Sequence, residues 1–322
     1  MIKLSIILPF MGQTEADLAV PLASINGQIG VNFSEIDVHL VNDGGQSIQS
    51  EKFDIFSHLN LHYHELKENV GPGMARQYGI DQSKGEYIMF VDADDELHYA
   101  GALLDFFNVF KIPETYDVII GRYLEQYIYQ PDGTFRYRTH PSMDKKAVYA
   151  KAFRRVHLEN IDLKFHPDLR IFEDNYFVGL ACMLAQNLYD LNSVVYSWLY
   201  NPNSIVRSDK EFFSHQTLAV VKSMHPYLEK LANYRPEFLM STVDGYMNNI
   251  FLRYSILEEK YHADFWPAHK RLLEDFKDYY SGYHAVAQGL VNENAQMELY
   301  RSVDTSKFED FVKQSLEKKG LS

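Results

Sequence analysis

Gly85-Glu86-Tyr87-Ile88-Met89-Phe90-Val91-Asp92-Ala93-Asp94-Asp95 is the stretch on which the fold turns. Tyr87 to Val91 is an unbroken apolar and aromatic run. It is too short for a helix and suits a buried strand. Asp92, Asp94 and Asp95 cluster at its C-terminal end, where open α/β sheets bind ligands. Two carboxylates one residue apart on extended chain can point into one space. They repel each other there unless a cation intervenes, and oxygen donors suit Mg²⁺ or Mn²⁺. The same residues also read as an acidic turn capping the next helix.

Working outward, strands alternate with helical segments on the N-terminal side. Leu4 to Phe10 reads as a buried strand, with Pro9 ending its ladder for want of an N–H. Thr14 to Ile25 has helical spacing. Ile36 to Val41 is a second strand, closed by Asn42-Asp43-Gly44-Gly45, and Leu61 to Leu66 a third. Val70-Gly71-Pro72-Gly73 is a turn before a short helix from Met74 to Asp81. This alternation predicts a mostly parallel sheet flanked by helices.

On the C-terminal side Tyr116 to Ile120 reads as a strand, and Pro131-Asp132-Gly133 as a hairpin turn inside the aromatic segment Tyr123 to Tyr137. Ala150 to Leu158 reads as a helix, Glu173 to about Gln186 as another, and Val194 to Tyr200 as a strand. From about Ser208 onward only helical patterns recur: Phe212–Ala232, Pro236–Lys260, Trp266–Tyr280 and Phe308–Lys318, with Pro226, Pro236 and Pro267 as breaks or starts. The expected organisation is a domain over 1–207 and a helical C-terminal subdomain over 208–322.

Composition bounds the function. With 31 Lys and Arg against 44 Asp and Glu, the net charge of −13 argues against a nucleic-acid or anionic-membrane surface. The single cysteine, Cys182, excludes an internal disulfide and a cysteine-built metal site. No stretch approaches the roughly 18 apolar residues that span a bilayer. The expectation is a cytoplasmic protein, peripheral to a membrane at most.

Taken in order, these pieces resemble the family 2 glycosyltransferases, nucleotide-sugar enzymes of the GT-A fold. The resemblance covers roughly residues 2 to 208. Leu4 to Phe10 is similar to the family's opening strand, which ends in Pro and an aromatic. Leu40-Val41-Asn42-Asp43-Gly44-Gly45 resembles Val-Asp-Asp-Gly-Ser, with Asn42 in place of the first Asp. Asn69-Val70-Gly71 through Ala75-Arg76-Gln77-Tyr78-Gly79 resembles Asn-x-Gly…Ala-Arg-Asn-x-Gly, with Gln77 in place of Asn. Asp92-Ala93-Asp94 stands at the Asp-x-Asp motif, and Glu173-Asp174 at the later Glu-Asp pair. Tyr149-Ala150-Lys151-Ala152-Phe153-Arg154-Arg155 aligns with His-Gly-Lys-x-Tyr-Arg-Arg but lacks the His and Gly. Tyr196 to Ser208 looks like the loop that closes the site, with Leu199 where many members have Arg.

The resemblance implies an inverting transferase moving a hexosyl or N-acetylhexosaminyl group from a UDP-sugar to an acceptor hydroxyl, assisted by Mn²⁺ or Mg²⁺. It implies a nucleotide-binding half over 1–95 and an acceptor side over 96–207. Asp94 is the implied metal ligand. Asp92 faces the ribose or an outer-shell water. Pro9, Phe10, Asn69, Gly71, Arg76, Ala93 and Lys151 join the donor site, Lys151 towards the diphosphate. Asp43, just after a strand, can accept a hydrogen bond from a uracil N–H; it also reads as an ordinary turn residue. Asp174 is the implied general base, with Glu173 orienting it; as bare sequence, the pair simply opens a helix, where acids complement the dipole.

Two other functions fit parts of the chain. A nucleotidyltransferase carries a basic Gly-rich loop after its first strand, which Pro9-Phe10-Met11-Gly12-Gln13-Thr14 lacks. A non-catalytic carbohydrate-binding or scaffold protein would use the aromatics of Tyr123 to Tyr137 without Asp43, Asp92, Asp94 and Asp174. The acceptor class left open is a carbohydrate, wall polymer or glycoprotein. The apolar tail predicts an ordinary helical subdomain, docking beside an acceptor groove, or a homo-oligomer through its helices.

Overall fold

The computed structural model describes residues 1–204, 209, 211–282, 300 and 303–317. The chain divides into two compact units, Met1–Ser204 and Ile205–Ser322. The boundary expected at Ser208 lies outside the described residues.

The first unit is built on one sheet. Its first strands are β1 (Leu4–Phe10), β2 (Ile36–Asn42), β3 (Leu61–Glu65) and β4 (Tyr87–Phe90). They lie in the order β3-β2-β1-β4, all parallel. β1 and β2 are buried at every position, as strands covered on both faces must be. Alternation divides their side chains. Leu4, Ile6 and Leu8 join Leu18, Leu22 and Ile25 of α1 (Glu15–Asn26) and Phe106 of α3 (Ala102–Phe110) in one core. Ile7 faces the other way, onto α2 (Pro72–Gln82), where a Cβ on Gly79 would stand 2.5 Å from Ile7 Cγ2. Thr14 caps α1 through a capping box with Asp17.

Pro9 ends only one side of the β1 ladder. Pairing with β4 stops at Ile7–Phe90, while pairing with β2 runs on to Phe10–Asn42. The Ile7 carbonyl accepts from Val91 and that of Phe10 from Asp43, so odd positions aim their polar groups at β4. The missing N–H of Pro9 therefore falls on the side where the ladder has already stopped.

Beyond β4 the sheet is mixed. Its members are β5 (Glu96–Leu97), β6 (Val118–Tyr129), β7 (Thr134–Thr139), β8 (Lys151–Arg154) and β9 (Leu188–Trp198). The order continues β4-β8-β6-β9-β5, with β7 paired to β6 as the expected hairpin. β8 corrects an expectation: Ala150–Leu158 is not one helix. Lys151–Arg154 is a strand antiparallel to both β4 and β6, and only then does α4 (Arg155–Asn160) begin. Two waiting strand edges outweigh a weak helical pattern. β5 and α3 were not among the expected elements, and β9 starts earlier than Val194. α5 (Glu173–Met183) follows as expected.

The described residues of the second unit carry four α-helices and no strand: α6 (Phe212–Tyr234), α7 (Leu239–Ser255), α8 (His262–Phe276) and α9 (Phe308–Leu316). Pro226 and Pro267 do not break it; both lie inside helices. Among the apolar residues of these helices, Val221, Leu228, Leu239, Tyr246, Ile250 and Phe251 are buried. Buried His269 links three helices, bonding Tyr246 Oη at 2.8 Å and Ser315 Oγ at 2.9 Å. Burial, with Lys270 nearby, pushes its pKa down to about 3, so it works as a neutral ring.

Candidate active site

The site forms at the C-terminal ends of β1, β2 and β4. Asn42 closes β2: its Oδ1 accepts from Gly45 N at 2.8 Å and its Nδ2 donates to the Gln46 carbonyl at 3.0 Å. Asp43 then reaches across to the loop before α2. It accepts from Val70 N at 2.7 Å, Gly71 N at 3.0 Å and Asn69 Nδ2 at 3.1 Å. Gly44 makes this approach possible. Its φ is +69°, and a Cβ would stand 2.3 Å from the backbone carbon of Glu68. Asn69 is held in turn by Arg170, whose Nη2 donates to its carbonyl at 3.2 Å.

Asp43 is 3% exposed, so its carboxylate is part of the loop's construction. Asp43→Ala is expected to cost about 2–3 kcal/mol of stability by stranding charge-assisted donors. Thermal unfolding of the variant measures this. An unchanged melting temperature would mean that the Asn69–Gly71 loop does not depend on Asp43.

Arg76 on α2 is the keystone. Its guanidinium is buried, with Nη2 donating to Asp92 Oδ1 at 2.7 Å and Nη1 to Glu173 Oε1 at 2.8 Å. One planar fork thus ties the strand-end motif to the start of α5. The two carboxylates outweigh burial and hold Arg76 protonated. Gly73 lets α5 close on α2, since a Cβ there would stand 2.9 Å from Glu173 Cγ. Phe172, the cap of α5, sits at φ 67° in the left-handed region that non-glycine residues avoid. Below it Phe165 and Phe177 stack at 4.1 Å, and Phe90 meets both edge-on. That aromatic floor fixes where Glu173 and Asp174 emerge.

Burial raises Glu173, the neighbouring Asp174 charge adds to it, and Arg76 opposes; the result is a pKa of about 7. Burial also raises Asp174, against the pull of Arg76 and the hydrogen bonds from Asn175. Asp174 remains half-buried, with Asn175 N donating to its Oδ1 at 2.7 Å.

Tyr196 and Asn201 hold the other two acids. Tyr196 Oη accepts from Asp92 N at 3.0 Å and donates to Asp95 Oδ2 at 2.8 Å. Leu199 N donates to Asp95 Oδ1 at 2.8 Å. Asn201 Nδ2 donates to Asp94 Oδ2 at 2.7 Å. Asp95 is 1% exposed and lies well above the usual carboxylate range, first through burial and then through the charges of Asp92 and Asp94. Asp95 is therefore a buried strut behind the motif, while Asp94 is more open. This crowding of acids suits a divalent cation. Hard oxygen donors with surplus negative charge suit Mn²⁺ or Mg²⁺, and one or two carboxylates suffice when substrate phosphates complete the shell.

Most of the expected residues converge. Pro9, Phe10 and Ala93 are buried and shape the strand ends rather than offering polar groups. Lys151 needs correction. Its side chain is 0% exposed and its Nζ donates to the Tyr149 carbonyl at 3.3 Å, so it lies in the core instead of facing a diphosphate. β8, unrecognised as a strand, carries it inward. Cys182 is buried as expected, and burial pushes its thiol up to about 11. In the sequence Tyr196 and Asn201 stand only as parts of the segment that resembles a site-closing loop. An isolated Tyr or Asn on a loop carries no signal of which carboxylate it will meet.

Residues 5–166 match the family model for glycosyl transferase family 2. The poly(ribitol-phosphate) beta-N-acetylglucosaminyltransferase TarS of Staphylococcus aureus is 25% identical over 218 residues, 61% of this chain and 36% of TarS. The glycosyltransferase GlyA of Streptococcus pneumoniae is 25% identical over 250 residues, 72% of this chain and 35% of GlyA. The chain thus spans about a third of the length of each. The crystal structure of TarS 1–349 with UDP-GlcNAc superposes with a TM-score of 0.57 at 17% identity, covering 97% of this chain and 92% of that one. The mannosyltransferase PcManGT of Pyrobaculum calidifontis, solved with GDP-Man and Mn²⁺, gives 0.51 at 14% identity, covering 99% and 88%. At such identities these two speak for the fold alone. The chain belongs to glycosyl transferase family 2: it is a glycosyltransferase on a GT-A fold, with a helical region at its C-terminal side. Among the described residues, no helix is long and apolar enough to cross a membrane.

Proposed function

We propose that the chain moves a sugar from a UDP-sugar to an acceptor hydroxyl by direct displacement, with inversion at the anomeric carbon. The observation that carries this reading is the Arg76 fork, which brings Asp92 and Glu173 from 81 positions apart in sequence to one side chain. It sets the strand-end acids beside a helix-borne carboxylate pair, as a displacement with a base opposite its leaving group requires.

The nucleotide lies over the β1 and β2 ends. A carboxylate offers about four acceptor positions, and three of those on Asp43 are taken by the loop. The fourth accepts the uracil N–H. Asp94, with Asp92 behind it, would hold Mn²⁺ or Mg²⁺. When bound, the ion draws off negative charge as the diphosphate leaves.

Asp174 Oδ takes the proton of the acceptor hydroxyl, whose oxygen forms the new bond to the anomeric carbon while the bond to the diphosphate breaks. Glu173 and Asp174 are adjacent carboxyls with separate duties. Burial and the Asp174 charge push Glu173 up, while the Arg76 charge and the Asn175 hydrogen bonds favour the ionised form of Asp174, the base. Arg76 positions Glu173 by its hydrogen bond and acts on Asp174 through its charge. Residues 1–95 form the donor half and 96–207 the acceptor side. The name of TarS, a relative by sequence, supports an N-acetylglucosaminyl donor.

Release of UDP from a panel of UDP-sugars, with and without Mn²⁺ and acceptor, tests this. Mn²⁺-dependent release with one donor is the expected result. Equal binding of UDP and GDP would remove the uracil contact, and transfer unaffected by EDTA would remove the metal.

A further inference from the structure

A second cluster of ligating side chains lies on the α2 face of the sheet, away from the Asp-x-Asp motif. Asp37 and His39 project from β2 and His62 from β3. One ligand atom from each lies within 4.8 Å of the other two, and among the described residues this is the His/Cys/Asp/Glu grouping that meets that condition. Asp37 precedes Asp43 by six residues of extended chain, about 20 Å at strand rise. The cluster is therefore separate from the donor site.

At its centre the Asp37 carboxylate faces His39 and the Ser5 hydroxyl, and part of its hydrogen-bonding capacity is left over. Asp37 is 5% and His39 3% exposed, yet Asp37 Oδ1 and His39 Nε2 lack hydrogen-bond partners. Buried polar atoms in that condition are costly and uncommon. Two imidazoles and a carboxylate form a borderline donor set, suited to Zn²⁺ rather than to Mg²⁺.

We propose that Asp37, His39 and His62 form a zinc site that clamps edge strand β3 to β2. With zinc–nitrogen bonds of roughly 2.0–2.1 Å, ligand atoms of a tetrahedral site stand about 3.3 Å apart. His39 Nε2 and Asp37 Oδ2 are already 3.4 Å apart. His62 is exposed, so its ring can swing inward to complete the set, and water takes the fourth position. His39 Nδ1 lies 3.0 Å from His64 Nε2. With Nε2 on the metal, Nδ1 carries the proton and donates to His64, the outer partner that orients a ligating histidine. His64 is braced by Tyr78 of α2, edge-on at 5.6 Å. The clamp has a structural purpose: β3 is the outermost strand, half-exposed and paired on one side only.

The test is calorimetric titration of the full-length, nucleotide-free protein with Zn²⁺, repeated with His62→Ala and Asp37→Asn. Melting temperature is followed in parallel, because a ligand of the folded state raises it. The expected result is one equivalent bound by the wild type and a zinc-dependent rise in melting temperature. Either variant should weaken binding about a hundredfold or more and lose the rise. His62 is exposed, so its variant folds, and it should keep sugar transfer. No saturable zinc binding, or binding that both variants retain, overturns the proposal.

Discussion

Asp94→Ala is expected to lower kcat by about a hundred- to a thousandfold, the loss typical when stabilisation of a developing anion is removed. Asp92 and Asp94 are both partly exposed, but Asp92 is tied to Arg76, and Asp95 is sealed beneath Tyr196. Asn201 Nδ2 donates to Asp94 Oδ2 at 2.7 Å, and the Asp94 side chain is only partly buried. The variant should therefore fold, and its Mn²⁺-dependent UDP affinity should fall with kcat. Calorimetry of UDP with and without Mn²⁺ decides the matter. A folded variant with wild-type metal-dependent affinity would move the ligand role to another carboxylate. Removing the charge should also relieve Asp95, whose carboxyl is raised in part by Asp94.

Asp174→Asn keeps size and removes basicity. A fall in kcat of about a hundredfold or more is expected, within the range for general acid–base catalysis. Donor affinity should change little, because the donor half is built from β1, β2, β4 and α2. The pH profile separates a base from a merely structural acid. Burial raises the Asp174 carboxyl, so it loses its charge earlier on acidification than an exposed Asp would. Wild-type kcat should thus fall on the acid side as Asp174 takes up a proton. The Asn variant, with no such proton to gain, should lack that limb. Near-normal transfer by the variant, or the same acid limb, would place the base elsewhere, with Glu173 the next candidate. NMR of the wild-type product should show the opposite anomeric configuration to that of the donor.

The elements that were legible in the sequence are those whose signal is local. Tyr87 to Val91 running into Asp92 and Asp94 is a buried strand ending in acids, and β4 is that strand. β1 and β2 are continuous apolar runs because both their faces are covered. Thr14 and the leucines after it mark α1, and Glu173-Asp174 opens α5 where acids suit a helix start. The order of these motifs was enough to assign the family.

What depends on distant partners was not legible. β8 has a helical pattern, yet the edges of β4 and β6 take it as a strand, and Lys151 goes into the core with it. Pro226 and Pro267 sit within helices because packing outweighs the hydrogen bond each lacks. Asp43 proved to be a builder of the Asn69 loop, which no spacing shows. Tyr196 and Asn201 met Asp95 and Asp94 only when β9 was laid against β5 and β6. The Arg76 fork has the same origin. Residue types and local periods are properties of the sequence by itself, but which carboxylate a buried guanidinium must neutralise is set by tertiary packing, because burial makes every unpaired charge costly.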